Sequence, residues 1–238
     1  MTTPQPPSHP PMSPGFYRAG RLACNFIKFQ CIREMVLHRE RADRPVGTGL
    51  LLACTHISHL EPIVIASVLH RHIRWMARLE FYKYKWGARV LYKGGAFPVD
   101  RFGFALPAVR RGIQLVREGE IVGVFPEGGV ATGRNSLLRG GPMKQGVCTM
   151  SLRTGAPIVP VVVLGTEKLN RVNPWIPPRR ARLYIAFGHE IAPPVHRTEG
   201  PSANRAQRHA MAQRLRFEFQ RTYHELLTHA GLTDSDVP

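Results

Sequence analysis

A chain of 238 residues with 43% hydrophobic and 21% charged side chains has the make-up of one globular domain, which excludes wholesale disorder. Lys and Arg number 33 against 16 acids, a net charge of +17, so the partner has to be anionic: nucleic acid, an anionic membrane surface, a phosphorylated substrate or an acidic protein. The four cysteines form no CxxC pair, which argues against a zinc site, and no apolar run approaches the ~18 residues of a membrane-spanning helix.

Residues 1–17 read as a disordered, proline-rich leader, with six prolines in the first fifteen positions and no apolar core of a secretory signal. A reducing cytosolic setting follows from the same absence. Residues 18–45 read as an amphipathic, membrane-associating helical segment. From Arg18 to His38, the residues Leu22, Phe26, Ile27, Phe29, Ile32, Met35 and Val36 recur at near-helical spacing, among Arg18, Arg21, Lys28, Arg33 and Arg39. Such a helix either lies in a membrane interface or packs on the domain's own core, and amphipathicity alone leaves both open.

Residues 46–238 read as one α/β domain, a mixed sheet flanked by helices. Strands are expected at 49–55, 73–77, 96–100, 121–125, 158–164 and 183–187, and helices at 107–117 and 144–154. A long helix over 202–230 closes the chain, with Met211, Leu215, Phe219, Tyr223 and Leu227 at four-residue spacing, Ser202 as candidate N-cap and Gly231 as candidate C-cap.

Four segments carry chemistry-bearing residues. His56 and Glu61, in Thr55-His56-Ile57-Ser58-His59-Leu60-Glu61-Pro62, stand where a buried strand emerges. A carboxylate five residues on can fix the imidazole tautomer and leave the other ring nitrogen as a general base. A capping box between Ser58 and Glu61 competes with this reading, but it would put Pro62 where the first helical donor is needed. Phe97-Pro98-Val99-Asp100-Arg101 sets a guanidinium at a strand end, suited to phosphate. Phe125-Pro126-Glu127-Gly128-Gly129 is a tight bend that presents Glu127. Lys144 precedes a helix, and Gly155-Ala156-Pro157-Ile158-Val159-Pro160-Val161 follows it as a proline-bounded strand. His59 reads as facing another way, His70 and His72 as surface residues, and Cys54 as a small core residue.

In this order and spacing, HxSxxEP, FPVDR, FPEG and APIVPV resemble the four blocks of the PlsC-like 1-acylglycerol-3-phosphate acyltransferases, and Ala77-Arg78-Leu79-Glu80-Phe81 resembles that family's stretch after its first block. The resemblance runs from about Leu50 to Val195. It implies that His56 is the general base and Glu61 its orienting carboxylate, standing where the family writes aspartate in HX4D. By the same resemblance Arg101 holds the acceptor's phosphate, Glu127 and Gly128 form the acceptor-binding turn, and Lys144 acts electrostatically. FPEG is followed by Gly129-Val130-Ala131 instead of the family's Thr-Arg-Ser, which bears on the acceptor's identity. The resemblance also implies a peripheral or monotopic protein on the cytoplasmic side of the membrane. Its partners would be an anionic membrane surface, a lysophospholipid acceptor and a thioester donor, acyl-CoA or acyl carrier protein, with no cofactor and no metal.

Three functions compete on these grounds: acyl transfer to 1-acylglycerol-3-phosphate, acyl transfer to another lyso-lipid such as an aminolipid or glycolipid, and a non-catalytic basic membrane-binding module. Nucleic acid is disfavoured because the aromatic residues are not interleaved with the basic ones.

Overall fold

Apolar runs such as Leu50–Cys54 and Ile158–Leu164 have no polar face, and strands of this kind need cover on both sides. The computed structural model describes residues 12–100, 106–169, 181–195 and 201–237. In chain order it forms α1 (Pro14–Cys31), β1 (Ile32–Leu37), β2 (Leu50–Cys54), α2 (Glu61–Val68), β3 (Ile73–Arg78), α3 (Lys85–Lys93) and β4 (Phe97–Val99). These are followed by α4 (Leu106–Arg117), β5 (Ile121–Val124), α5 (Gly146–Thr154), β6 (Ile158–Leu164), β7 (Ala181–Phe187) and α6 (Pro201–Ala230).

The strands make one seven-stranded sheet in the order β1-β7-β6-β2-β5-β3-β4. Every pairing is parallel except β6 with β7, so the sheet is mixed, as expected. Register follows side-chain alternation. Leu51 lies beside Val122, and Leu52 beside Val159. Leu51, Ala53, Val122 and Val162 face α4, α5 and α6, whereas Leu50, Leu52, Cys54, Val159 and Val161 face the side that carries α2. The α6 stripe of Met211, Leu215, Phe219, Tyr223 and Leu227 is buried throughout.

The N-terminal segment departs from expectation. α1 begins at Pro14, inside the stretch read as leader, and ends at Cys31; residues 32–37, read as more helix, form the edge strand β1. Its partner is β7, with Val36 beside Ile185, so pairing with a distant strand overrides the local helical period. The sheet therefore begins before residue 46, and 18–45 is not one helical segment. α6 also starts at Pro201, which puts Ser202 inside the helix and not at its N-cap. Among the described residues, no helix is long and apolar enough to cross a membrane.

Candidate active site

The reactive side chains gather at the carboxyl ends of β2, β3, β5 and β6, the edge at which open α/β sheets hold ligands. β2 ends at Cys54, and the next two residues are fully placed by neighbours. Thr55 accepts the Val163 N–H in its hydroxyl oxygen at 3.0 Å, and the His56 carbonyl accepts the Ala131 N–H at 2.7 Å. α2 then begins at Glu61, so Pro62 falls in the first turn, where a missing N–H costs no helical bond. The Ser58 hydroxyl oxygen accepts the Leu60 N–H at 3.2 Å and does not cap the helix through Glu61.

Glu61 is thereby turned towards His56. His56 Nδ1–H donates to Glu61 Oε2 at 2.9 Å, with the imidazole nearly buried and the carboxylate completely so. That bond fixes the tautomer and leaves Nε2 as the basic nitrogen. The imidazole stacks on Phe125, centroids 4.1 Å apart at 23°, and Phe125 stacks on Trp75 at 5.1 Å and 11°. The other Glu61 oxygen accepts the hydroxyl of Thr166, a buried residue just after β6. Cys54 is no nucleophile here: burial first, and then the charge of Glu61, push its thiol well up.

Glu127 sits differently from the sequence reading, which presented it to a ligand. Its Oε2 accepts the His56 backbone N–H at 2.6 Å and its Oε1 the Leu137 N–H at 2.7 Å, with the Ser136 hydroxyl at 3.4 Å. Both oxygens face inward, so Glu127 fastens the third block to the backbone of the first. Burial raises its carboxyl above the usual carboxylate range, against the Leu137 and His56 N–H bonds, which lower it. Gly128 has φ +79 and a Cβ there would lie 2.7 Å from Lys144 Cε, so the turn needs glycine and the lysine stem crosses directly over it. The Lys144 N–H donates to Pro126 O at 2.8 Å.

Arg101 lies outside the described residues. His59 is a correction: its ring meets that of His56 edge-on, centroids 5.9 Å apart, and lines the same cavity. Sequence reasoning also missed Thr166, Trp75 and Phe125 as parts of the site; the only signal for Thr166 was its place just past a strand's carboxyl end.

His56 and His59 open onto a cavity of about 770 Å³. Its walls are mainly apolar: Phe16 and Tyr17 of α1, Ile63 and Ala66 of α2, Trp75 and Met76 of β3, and Val90 and Leu91 of α3. Arg21 and Arg78 are the cationic groups among its lining residues. Among the described residues, no cluster of three or more His, Cys, Asp or Glu could hold a metal ion.

The family model described as Acyltransferase matches residues 35–164, over half of the chain. The chain belongs to the acyltransferase family. The match runs from β1 through β6 and so covers the dyad, the Glu127 turn and Lys144. Within the family, a 1-acyl-sn-glycerol-3-phosphate acyltransferase of Bacillus subtilis is 35% identical over 126 residues, 52% of this chain and 60% of that protein. One of Borreliella burgdorferi is 26% identical over 125 residues, 52% of this chain and 48% of that protein. The chain thus spans about half to three-fifths of the length of these two relatives. The crystal structure of the 1-acyl-sn-glycerophosphate (LPA) acyltransferase PlsC from Thermotoga maritima has the same fold. It aligns with TM-score 0.58 and 18% identity, covering 87% of this acyltransferase-family chain and 78% of that one.

Proposed function

We propose that the protein is an O-acyltransferase that moves a fatty acyl group from a thioester to a hydroxyl of a lysophospholipid, with 1-acylglycerol-3-phosphate as acceptor and phosphatidic acid as product. The observation that carries this is His56, bonded to Glu61 at 2.9 Å and set on the wall of a large apolar cavity, in a chain of this family. Nε2 of His56 takes the acceptor's hydroxyl proton as the oxygen attacks the thioester carbonyl. The new O–C bond forms, the C–S bond breaks, and the departing thiolate takes the proton back from Nε2. No covalent acyl-protein species is needed.

The cavity suits a fatty acyl chain, since aliphatic and aromatic side chains dominate its walls. The donor is acyl-CoA or acyl carrier protein; either is anionic and matches the +17 charge. Lys144, held over Gly128, and Arg101 are the proposed grips on the acceptor's phosphate. An anionic membrane surface on the cytoplasmic side is the proposed platform. Leu22 and Phe26 of α1, and Tyr84 and Trp86 at the start of α3, are exposed, with Lys83, Lys85, Arg89 and Lys93 among the latter pair.

A second acceptor class is favoured by one observation, Gly129-Val130-Ala131 after FPEG, which lacks the family's arginine. The deciding experiment incubates the purified protein with acyl-CoA or acyl carrier protein thioesters and a panel of lysophosphatidic acid, lyso-aminolipids and lyso-glycolipids. Thiol release and product mass are followed together. Phosphatidic acid formation supports the first reading, transfer to another lyso-lipid moves the assignment to the second, and no transfer to any acceptor sinks both.

A further inference from the structure

Glu61 is completely buried, and among the described residues no lysine or arginine pairs with it. Its two oxygens have one hydrogen-bond partner each: Oε2 the Nδ1–H of His56 at 2.9 Å, and Oε1 the hydroxyl of Thr166. We propose that Thr166 is a positioning residue for the dyad, its hydroxyl holding the Glu61 carboxylate in the orientation that presents Oε2 to His56. The proposal rests on the acyl-transfer reading for its consequence in turnover.

The need for such an anchor comes from the side chain itself. Glutamate has one more rotatable bond than aspartate, so its carboxylate loses more freedom when held and has more ways to swing off the imidazole. One hydrogen bond to Oε2 fixes a distance but leaves the carboxylate free to turn about it. A second bond to Oε1 removes that freedom. Threonine is suited to the task because its β-branch restricts χ1 and so fixes the direction of the hydroxyl.

The fold brings the hydroxyl there by a short route. β6 pairs with β2, with Val161 beside Cys54, and the Thr55 hydroxyl bonded to the Val163 N–H keeps the two strand ends together. β6 ends at Leu164. Gly165 follows with φ +89 and lies so close to Arg182 O that a Cβ would stand 2.1 Å from it, which only glycine tolerates. After that turn Thr166 is wholly buried and bonded to Glu61, the first residue of α2. Thr166 therefore touches Glu61 while the imidazole faces the cavity, and it acts on the acceptor only through the carboxylate.

The test uses the full chain with Thr166→Val, which keeps the shape and loses the hydroxyl, and Thr166→Ser, which keeps the hydroxyl. T166V is expected to lower kcat roughly 10-fold, the scale of one lost hydrogen bond to a charged group, with both KM values unchanged. T166S is expected to stay within about 3-fold of wild type, since it retains that bond. In a Glu61→Ala background T166V is expected to cost nothing further, because the carboxylate that Thr166 holds is already gone. A proton spectrum gives a readout without turnover: the His56 Nδ1–H resonance, identified by its loss in His56→Gln, keeps its position in T166S and shifts or broadens in T166V. A wild type inactive on every acceptor would overturn the acyl-transfer reading, while the proton spectrum would still decide Thr166. Unchanged kcat with an unshifted proton in T166V overturns the proposal. So does an equal loss in T166V and T166S accompanied by a lowered Tm in both, which marks a merely structural threonine.

Discussion

The two faces of the sheet are built to different standards. On one, α4, α5 and α6 close over the strands, and Leu215, Phe219 and Tyr223 fill the space completely. On the other, α2 covers the centre, but α1 and α3 stand off and leave about 770 Å³ open beside His56. α3 has no buried residue, and its Trp86 is 74% exposed. Protein interiors close-pack when nothing prevents it, because every void forfeits contacts. The filled face therefore carries the stability, and the hollow one keeps room for an occupant with an apolar body.

Substitutions on the two faces separate these roles. On the hollow face, His56→Ala is expected to lower acyl transfer per folded molecule by 10²–10⁴-fold, the usual worth of a general base. Near-normal turnover in that variant would remove His56 from the chemistry. On the filled face, Phe219→Ala removes a fully buried ring and is expected to cost about 3–5 kcal/mol by urea denaturation. Turnover per folded molecule is expected to stay at the wild-type value. A specific loss of kcat in the folded fraction would mean that the faces are coupled and not separate.

At the boundary between the faces, Glu127 is the tie whose removal has an intermediate effect. Glu127→Gln leaves only one acceptor for the two N–H groups of His56 and Leu137, an unpaired buried donor that costs about 1–3 kcal/mol. The effect depends on pH with a definite sign. Because burial raises the carboxyl above its ordinary 4.5, the folded chain holds this proton to a higher pH than the unfolded chain does. The group's stabilisation is then complete below 4.5 and is lost as pH rises through the folded value. The gap between wild type and E127Q is expected to widen as pH falls through that window. Denaturation midpoints over a pH series would show it, and a gap that narrows instead would mean that the hydrogen bonds outweigh burial.

What could be read in the sequence follows the same division. The strands β2, β5 and β6 were legible because they are buried on both sides and so written as unbroken apolar runs. α6 was legible because Met211 to Leu227 repeats every four residues. The dyad was legible too, since both its members lie within five residues of chain and one proline excluded the competing cap. β1 was not, because Ile32, Met35 and Val36 fit a helical period as well as a strand, and only Ile185 and its neighbours across the sheet decide between them. Thr166 and the inward turn of Glu127 depend on contacts over 105 and 71 positions, which no local pattern encodes. His59 was misplaced because the backbone between β2 and α2 is neither helix nor strand, so no period tells where its side chain points.

The hollow face makes the smallest and most discriminating prediction. Deleting residues 1–38 would be a poor probe of membrane docking, since it would also strip β1 from the sheet and α1 from the cavity wall. Point changes avoid this. Leu22 is 69% and Phe26 66% exposed on α1, so Leu22→Gln with Phe26→Gln is expected to shift stability by no more than about 0.5 kcal/mol. The same double change, or Trp86→Ala, is expected to weaken sedimentation with vesicles containing an anionic phospholipid, because each removes apolar area available to the acyl boundary. Raising the salt is expected to weaken the wild type as well, through screening of the neighbouring lysines and arginines. Unchanged sedimentation in both variants at matched stability would mean that these side chains do not enter the bilayer. The open face would then be completed by its substrate alone.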